Sequence, residues 1–231
     1  MTCINRTGAA PMAARGPEAD LPLFREKRIN DPARALKALA AEARDCTRCH
    51  LYKNATQTVF GEGPADAALM LIGEQSGDQE DLAGRPFVGP AGKVLDRALE
   101  AAGIEREAIY ITNAVKHFKN EPRGKRRLHK KPDTSEIDAC RWWLDNELAL
   151  IEPAVAVALG ATAARALLRK ALAINANRGR LIALPNGGNA LITVHPSYLL
   201  RLQEARDKRR EFDLLVKDLH FAAEAARKAR G

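Results

Sequence analysis

The sequence predicts an α/β fold: a three-layer αβα sandwich around a central, mainly parallel four-stranded sheet. Three observations lead there. Short, uniformly apolar runs recur along the chain, segments of helical period separate them, and each run stops at a glycine or a polar residue. Runs that are apolar on both faces fit strands covered by helices above and below, and strands alternating with helices imply right-handed βαβ crossovers.

The apolar runs are residues 67–72, 109–112, 154–159 and 191–194, ending at Gly73, Asn113, Gly160 and His195. Helical patterns occupy 91–102, 135–150, 161–172 and 208–228. A further helix begins at Asp31, where Pro32 suits a first turn and Leu36, Leu39 and Ala43 share a face. Residues 1–30 mix Gly, Pro, Ala and charge without period and read as a flexible tail, leaving 31–231 as the folded domain. In doubly wound sheets ligands gather beyond the carboxyl ends of the strands. That rule selects Gly73-Glu74-Gln75, Asn113 and His195-Pro196-Ser197.

The chain of 231 residues carries a net charge of +8 and is 46% hydrophobic, enough to bury one sizeable core. The longest apolar stretch, 148–168, is broken by Glu152, Pro153 and Arg165, so no membrane span is expected. The first 20 residues lack the apolar core of an export signal, and a cytoplasmic monomer is the expectation. Much of the charge sits in one segment. Between Lys116 and Lys131 lie eight cations and a single acid, Glu121. Beside a predicted ligand site, such a loop is an electrostatic footprint for nucleic-acid phosphates. Aromatic residues make up only 5%, so base recognition should use one pocket rather than a stacking platform.

Cys46 and Cys49 form a CxxC pair, and Cys140 follows on the helix after the basic loop. With His117 as a fourth ligand, three thiolates and an imidazole suit either zinc or an iron–sulfur cluster, and spacing does not choose between them.

The segment Gly73-Glu74-Gln75-Ser76-Gly77-Asp78-Gln79-Glu80-Asp81, with Gly84-Arg85-Pro86-Phe87-Val88-Gly89, resembles the first motif of the family-4 uracil-DNA glycosylases. His195-Pro196-Ser197-Tyr198-Leu199-Leu200-Arg201 resembles their second motif, and Ile111-Thr112-Asn113-Ala114-Val115-Lys116 and the cysteines match in order. The similarity spans residues 44–220, and the loop Gly124-Lys125-Arg126-Arg127-Leu128-His129 resembles the insertion of the UdgX type, whose members cross-link to uracil-containing DNA. The resemblance implies a uracil-DNA glycosylase-like fold and a [4Fe-4S] cluster on Cys46, Cys49, His117 and Cys140. It also implies a substrate of uracil-containing DNA, with single strands preferred. One departure is Ser76, where the motif normally has proline; it frees a backbone donor and relaxes φ beside Glu74 and Gln75.

On the same basis, Phe87 stacks on an extruded uracil and Asn113 reads its O4 and N3 edge. His195 donates to O2 as charge builds there, and Glu74 supports the cationic sugar. His129 attacks the anomeric carbon, giving a single-turnover enzyme that ends as a DNA adduct. Gln75, Gly77, Asp78 and Ser197 complete the pocket, and Arg127 places His129 through Asp78 or a phosphate. Two alternatives stand beside this reading: a family-4 enzyme that turns over conventionally, and a non-catalytic nucleic-acid-binding module with a structural zinc.

Overall fold

The computed structural model describes residues 31–185 and 187–231; the expected tail at 1–30 lies outside them. Its elements, in chain order, are α1 (Pro32–Ala43), β1 (Leu69–Gln75), α2 (Asp78–Ala83), α3 (Pro90–Ala101), β2 (Tyr110–Val115), β3 (Asn120–Arg123) and β4 (Arg126–His129). There follow α4 (Thr134–Ile151), β5 (Val155–Leu159), α5 (Ala161–Leu168), α6 (Ile174–Asn177), β6 (Leu181–Ala183), β7 (Asn189–Thr193), α7 (Pro196–Arg201) and α8 (Ala205–Arg230).

The α/β sandwich and its mainly parallel sheet are as expected. The strand order is β2-β1-β5-β7-β6, with β2, β1, β5 and β7 mutually parallel and β6 antiparallel to β7. β6 is a fifth strand that the sequence reading lacked. It has three residues, none of them buried, and its short apolar run at 181–184, ended by Pro185, was passed over.

Period-two alternation sends side chains to both faces of the sheet. Met70, Ile72, Tyr110, Ala156, Ala158 and Ile192 pack towards α1, α4 and α5. Leu69, Leu71, Ile111, Val157 and Leu191 pack towards α3 and α8. Local signals set the helix ends. Asp31 caps α1 by accepting from the Arg34 N–H at 2.9 Å, with Pro32 in the first turn. Asp133 and Glu136 form a reciprocal capping box on α4, and Glu152 ends that helix in the left-handed region ahead of Pro153.

Chain order runs outward from β1 to β2 and then returns to the other side of β1 with β5. The switch point therefore lies between β1 and β5, where the carboxyl ends of the strands open a crevice. Over it reaches the basic segment, which is no loose loop. β3 and β4 pair antiparallel with Asn120 opposite His129 and Arg123 opposite Arg126, turning at Gly124 and Lys125. Among the described residues no helix is long and apolar enough to cross a membrane.

Leu71 is fully buried on a central strand. Leu71→Ala is expected to lower unfolding free energy by about 2–5 kcal/mol, read from chemical denaturation; a loss under about 1 kcal/mol would contradict this packing.

Candidate active site

The strand ends bring Glu74, Phe87, Asn113 and His195 together. Gly73 makes this possible. It lies opposite Asn113 in the β1–β2 register, and a Cβ there would fall 2.2 Å from Asn113 Oδ1 and 2.6 Å from Phe87 Cζ. Only a residue without a side chain leaves both groups in place. Phe87 is buried and sits at φ 55°, a conformation that costs a non-glycine residue roughly 1–2 kcal/mol. The surroundings hold it there. A Cβ on Gly92 would stand 1.9 Å from the Phe87 carbonyl oxygen, so α3 packs against the Phe87 backbone through a glycine. The Phe87 ring lies on His195 with centroids 5.8 Å apart and planes at 29°.

His195 caps α7. The backbone N–H of Ser197 donates to its Nδ1 at 3.1 Å, and Ser197 Oγ lies 2.8 Å from the same nitrogen. A nitrogen that accepts a backbone N–H carries no proton, which assigns the proton to Nε2 by the hydrogen-bond network. Burial, with Arg201 and His129 adding repulsion, holds the ring well below the ordinary histidine value, to about 4. At neutral pH His195 is therefore an uncharged donor. Asn113 is 2% exposed and its Oδ1 has no partner within the described residues, so an acceptor beside Phe87 is left for a ligand.

Glu74 accepts from the Thr162 hydroxyl through Oε2, while its Oε1 stands 3.6 Å from His129 Nε2. Gln75 points at the hairpin. Its Oε1 accepts the Lys119 N–H at 2.9 Å, which orients the amide so that Nε2 donates to the Lys130 carbonyl at 3.0 Å and to His129 Nε2 at 2.9 Å. His129 is about half exposed on β4 and its ring lies 6.0 Å from that of Phe118. Arg127, two residues earlier on the same face of β4, fixes the hairpin: it pairs with Asp78 at 2.7 Å and Asp81 at 2.5 Å, and donates to Thr56 Oγ1 at 3.0 Å. The Gly77 N–H is occupied by Glu80 at 3.1 Å. Ser76 is buried between the end of β1 and the start of α2; both elements form around it.

Sequence reasoning overlooked Thr162, Glu80 and Asp81. Thr162 had a readable signal, since it opens the helix after the β5 strand end at Gly160. Glu80 bridges the amides of Gly77 and Gly89, the latter at 2.8 Å, and Asp81 is fully buried beneath Arg127. Both lie within the quoted motif, but only the packed loops give them partners.

Two expectations need correction. The eight cations of the basic segment are not a free footprint. Lys116 is fully buried against Glu147, Lys119 pairs with Asp133 and Glu136, Arg127 with Asp78 and Asp81, and Lys130 with Glu121. Arg123, Lys125, Arg126 and Lys131 stay exposed. The second concerns the [4Fe-4S] cluster. Among the described residues no group of three or more His, Cys, Asp or Glu side chains is placed to hold a metal ion. Cys46, Cys49, His117 and Cys140 therefore form neither the expected iron–sulfur site nor a zinc site. Trp143 Nε1 donates to Cys46 Sγ at 3.1 Å and the Lys116 N–H to Cys140 Sγ at 3.1 Å. His117 Nε2 lies 3.1 Å from Thr58 Oγ1. Burial pushes the Cys140 thiol up to about 12 and raises that of Cys49.

The sequence profile of the uracil DNA glycosylase superfamily matches residues 60–220. A type-4 uracil-DNA glycosylase of Thermotoga maritima is 38% identical over 167 residues, covering 72% of this chain and 83% of that protein. The chain belongs to the uracil-DNA glycosylase superfamily, among its type-4 members. A type-4 uracil-DNA glycosylase of Pyrobaculum aerophilum is 34% identical, covering 72% of this chain and 85% of its own length. One from Archaeoglobus fulgidus is 32% identical, covering 75% and 87%. The matched span of this glycosylase runs from just before β1 to within α8, so it takes in Glu74, Phe87, Asn113, His129 and His195.

The lowered pKa of His195 has a thermodynamic sign. The unfolded chain, with its histidine near 6.5, binds more protons than the native one between about pH 4 and 6.5. This group's stabilising contribution is thus full above 6.5 and lost as pH falls towards 4. His195→Gln should flatten the fall in Tm across that window relative to the parent; parallel Tm curves for the two proteins would refute the assignment.

Proposed function

We propose that the chain excises uracil from DNA by cleaving the N-glycosidic bond, the activity for which its type-4 relatives are named. The observation that carries the reading is the uncharged His195 donor stacked with Phe87 beside the unpartnered Asn113 Oδ1. An extruded uracil laid on Phe87 presents its N3–H to Asn113 Oδ1 and its O4 to the Asn113 amide nitrogen. Cytosine offers an amino group and an unprotonated N3 at the same positions and leaves both ends mispaired. As the bond from C1′ to N1 breaks, its electron pair leaves with the base. His195 Nε2–H donates to O2 where that charge collects, without giving up its proton. The sugar becomes cationic, and the Glu74 carboxylate stabilises it and takes the proton from an attacking water whose oxygen bonds to C1′. Thr162 holds the other oxygen of Glu74 and so sets the orientation of the carboxylate.

A second reading is favoured by the position of His129. Its Nε2, which accepts from Gln75 and so carries no proton, stands 3.6 Å from Glu74 Oε1 at the crevice, and release of the Gln75 N–H frees its lone pair. In this reading Nε2 bonds to C1′ in place of water, the resulting imidazolium loses its Nδ1 proton to solvent, and uracilate is protonated on release. An alkylated imidazole lacks the carbonyls that make uracilate a good leaving group. One event then consumes the protein. The two readings share the excision step and differ only in the nucleophile. Exposed Arg123, Lys125 and Arg126 at the hairpin tip supply phosphate contacts in either case.

Uracil release from a uracil-bearing oligonucleotide, and none from its cytosine counterpart, is the expected result for the first reading; no release from either would end it. Single- and double-stranded forms at equal salt test the expected preference for single strands. For the second reading, a protein–DNA band that survives heat and detergent should form with the parent and vanish in His129→Ser. Released uracil exceeding the protein concentration without such a band would leave turnover by water as the activity.

A further inference from the structure

Behind the base-reading strand lies a buried charge that the excision chemistry does not use. Lys116 and Glu147 are both fully buried, and their ion pair closes at 2.5 Å. All three ammonium protons have acceptors: Glu147 Oε2, Thr112 Oγ1 at 2.6 Å and the Asn113 carbonyl at 2.9 Å. The charge also faces the ring of Phe60, 5.2 Å from its centroid. Glu147 is saturated in turn, accepting from the Tyr110 hydroxyl at 2.9 Å and from Thr112 at 3.0 Å.

The network sits where the sheet stops supporting the strand. β2 is an edge strand, and its outer side pairs with Glu62 only at Ile111. Alternation places the Asn113 carbonyl on that same outer side, beyond the bridge. There the Lys116 ammonium takes the place of a neighbouring strand and bonds to the backbone of Asn113 itself. A buried ion pair is weak evidence for stability, because desolvation offsets much of its attraction, but it can specify one geometry.

We infer that Lys116, charge-balanced by Glu147, is a positioning residue that fixes Asn113 for recognition of the uracil edge. This rests on the proposed excision of uracil. The ammonium holds the reader's backbone from behind while the side chain faces the crevice, so loss of the anchor loosens the amide without touching the base. Replacing one partner alone strands a buried charge and lowers stability for trivial reasons. Lys116→Met combined with Glu147→Gln removes both charges and keeps a carbonyl for the Tyr110 and Thr112 hydroxyls.

The double variant should hold its Tm within about 5 °C and bind a thymine-containing oligonucleotide as the parent does. Its single-turnover excision of uracil should fall by about 10- to 100-fold. An unchanged excision rate in the folded variant would overturn the inference. Should the variant not fold, the parent decides by nitrogen-15 NMR with free uracil as the probe. The Lys116 ammonium signal should move together with the Asn113 side-chain amide, and neither should move with cytosine. An amide that shifts while the ammonium stays still overturns the positioning role. An amide that does not respond to uracil overturns the functional reading instead.

Discussion

The position of the hairpin over the crevice depends on one buried carboxylate. Asp81 is removed from water and accepts from the Thr56 backbone N–H at 3.0 and 3.1 Å and from the Arg127 guanidinium. An acid in that setting is tolerable only with its donors in place. Arg127 therefore belongs as much to the interior as to the hairpin, with Asp78 completing its fork and Phe118 beneath it at 5.4 Å. His129 is two residues along the same strand and shares that anchorage. Its distance from Glu74 follows in part from electrostatics two residues away on the same face of the hairpin.

The layers and the site were legible to different degrees. Uniformly apolar runs announced β1, β2, β5 and β7 because burial on both faces leaves no polar position within them. β6, α2 and α7 are three to six residues long and show no period, since their structure comes from neighbours. Glu74, Asn113 and His195 could be found from the strand-end rule alone. The roles proposed for Gln75 and His129 needed the resemblance, because a histidine in a basic run has no local mark of chemistry.

Charge was read least well. A count along the chain treats every cation as available, yet the fold assigns Lys116, Lys119, Arg127 and Lys130 to acids 9 to 49 positions away, two of which also cap a helix. The cysteines erred in the same direction. Two thiols at metal-binding spacing and a third on a distant helix describe ligand types, not the protonation or hydrogen bonds those thiols adopt. Burial raises the thiols of Cys140 and Cys49 in the folded chain, and burial was no part of the spacing argument.

Gln75 joins both ends of the hairpin stem, bonding to Lys119 at the entry and to Lys130 at the exit. The turn at Gly124, by contrast, meets nothing: a side chain placed there would touch no atom within 4 Å. The stem is clamped and the apex is bare. An engineer could thus lengthen, shorten or recharge the apex while the imidazole one residue before the exit clamp keeps its station, making the charge of the tip and the geometry of the stem separately adjustable.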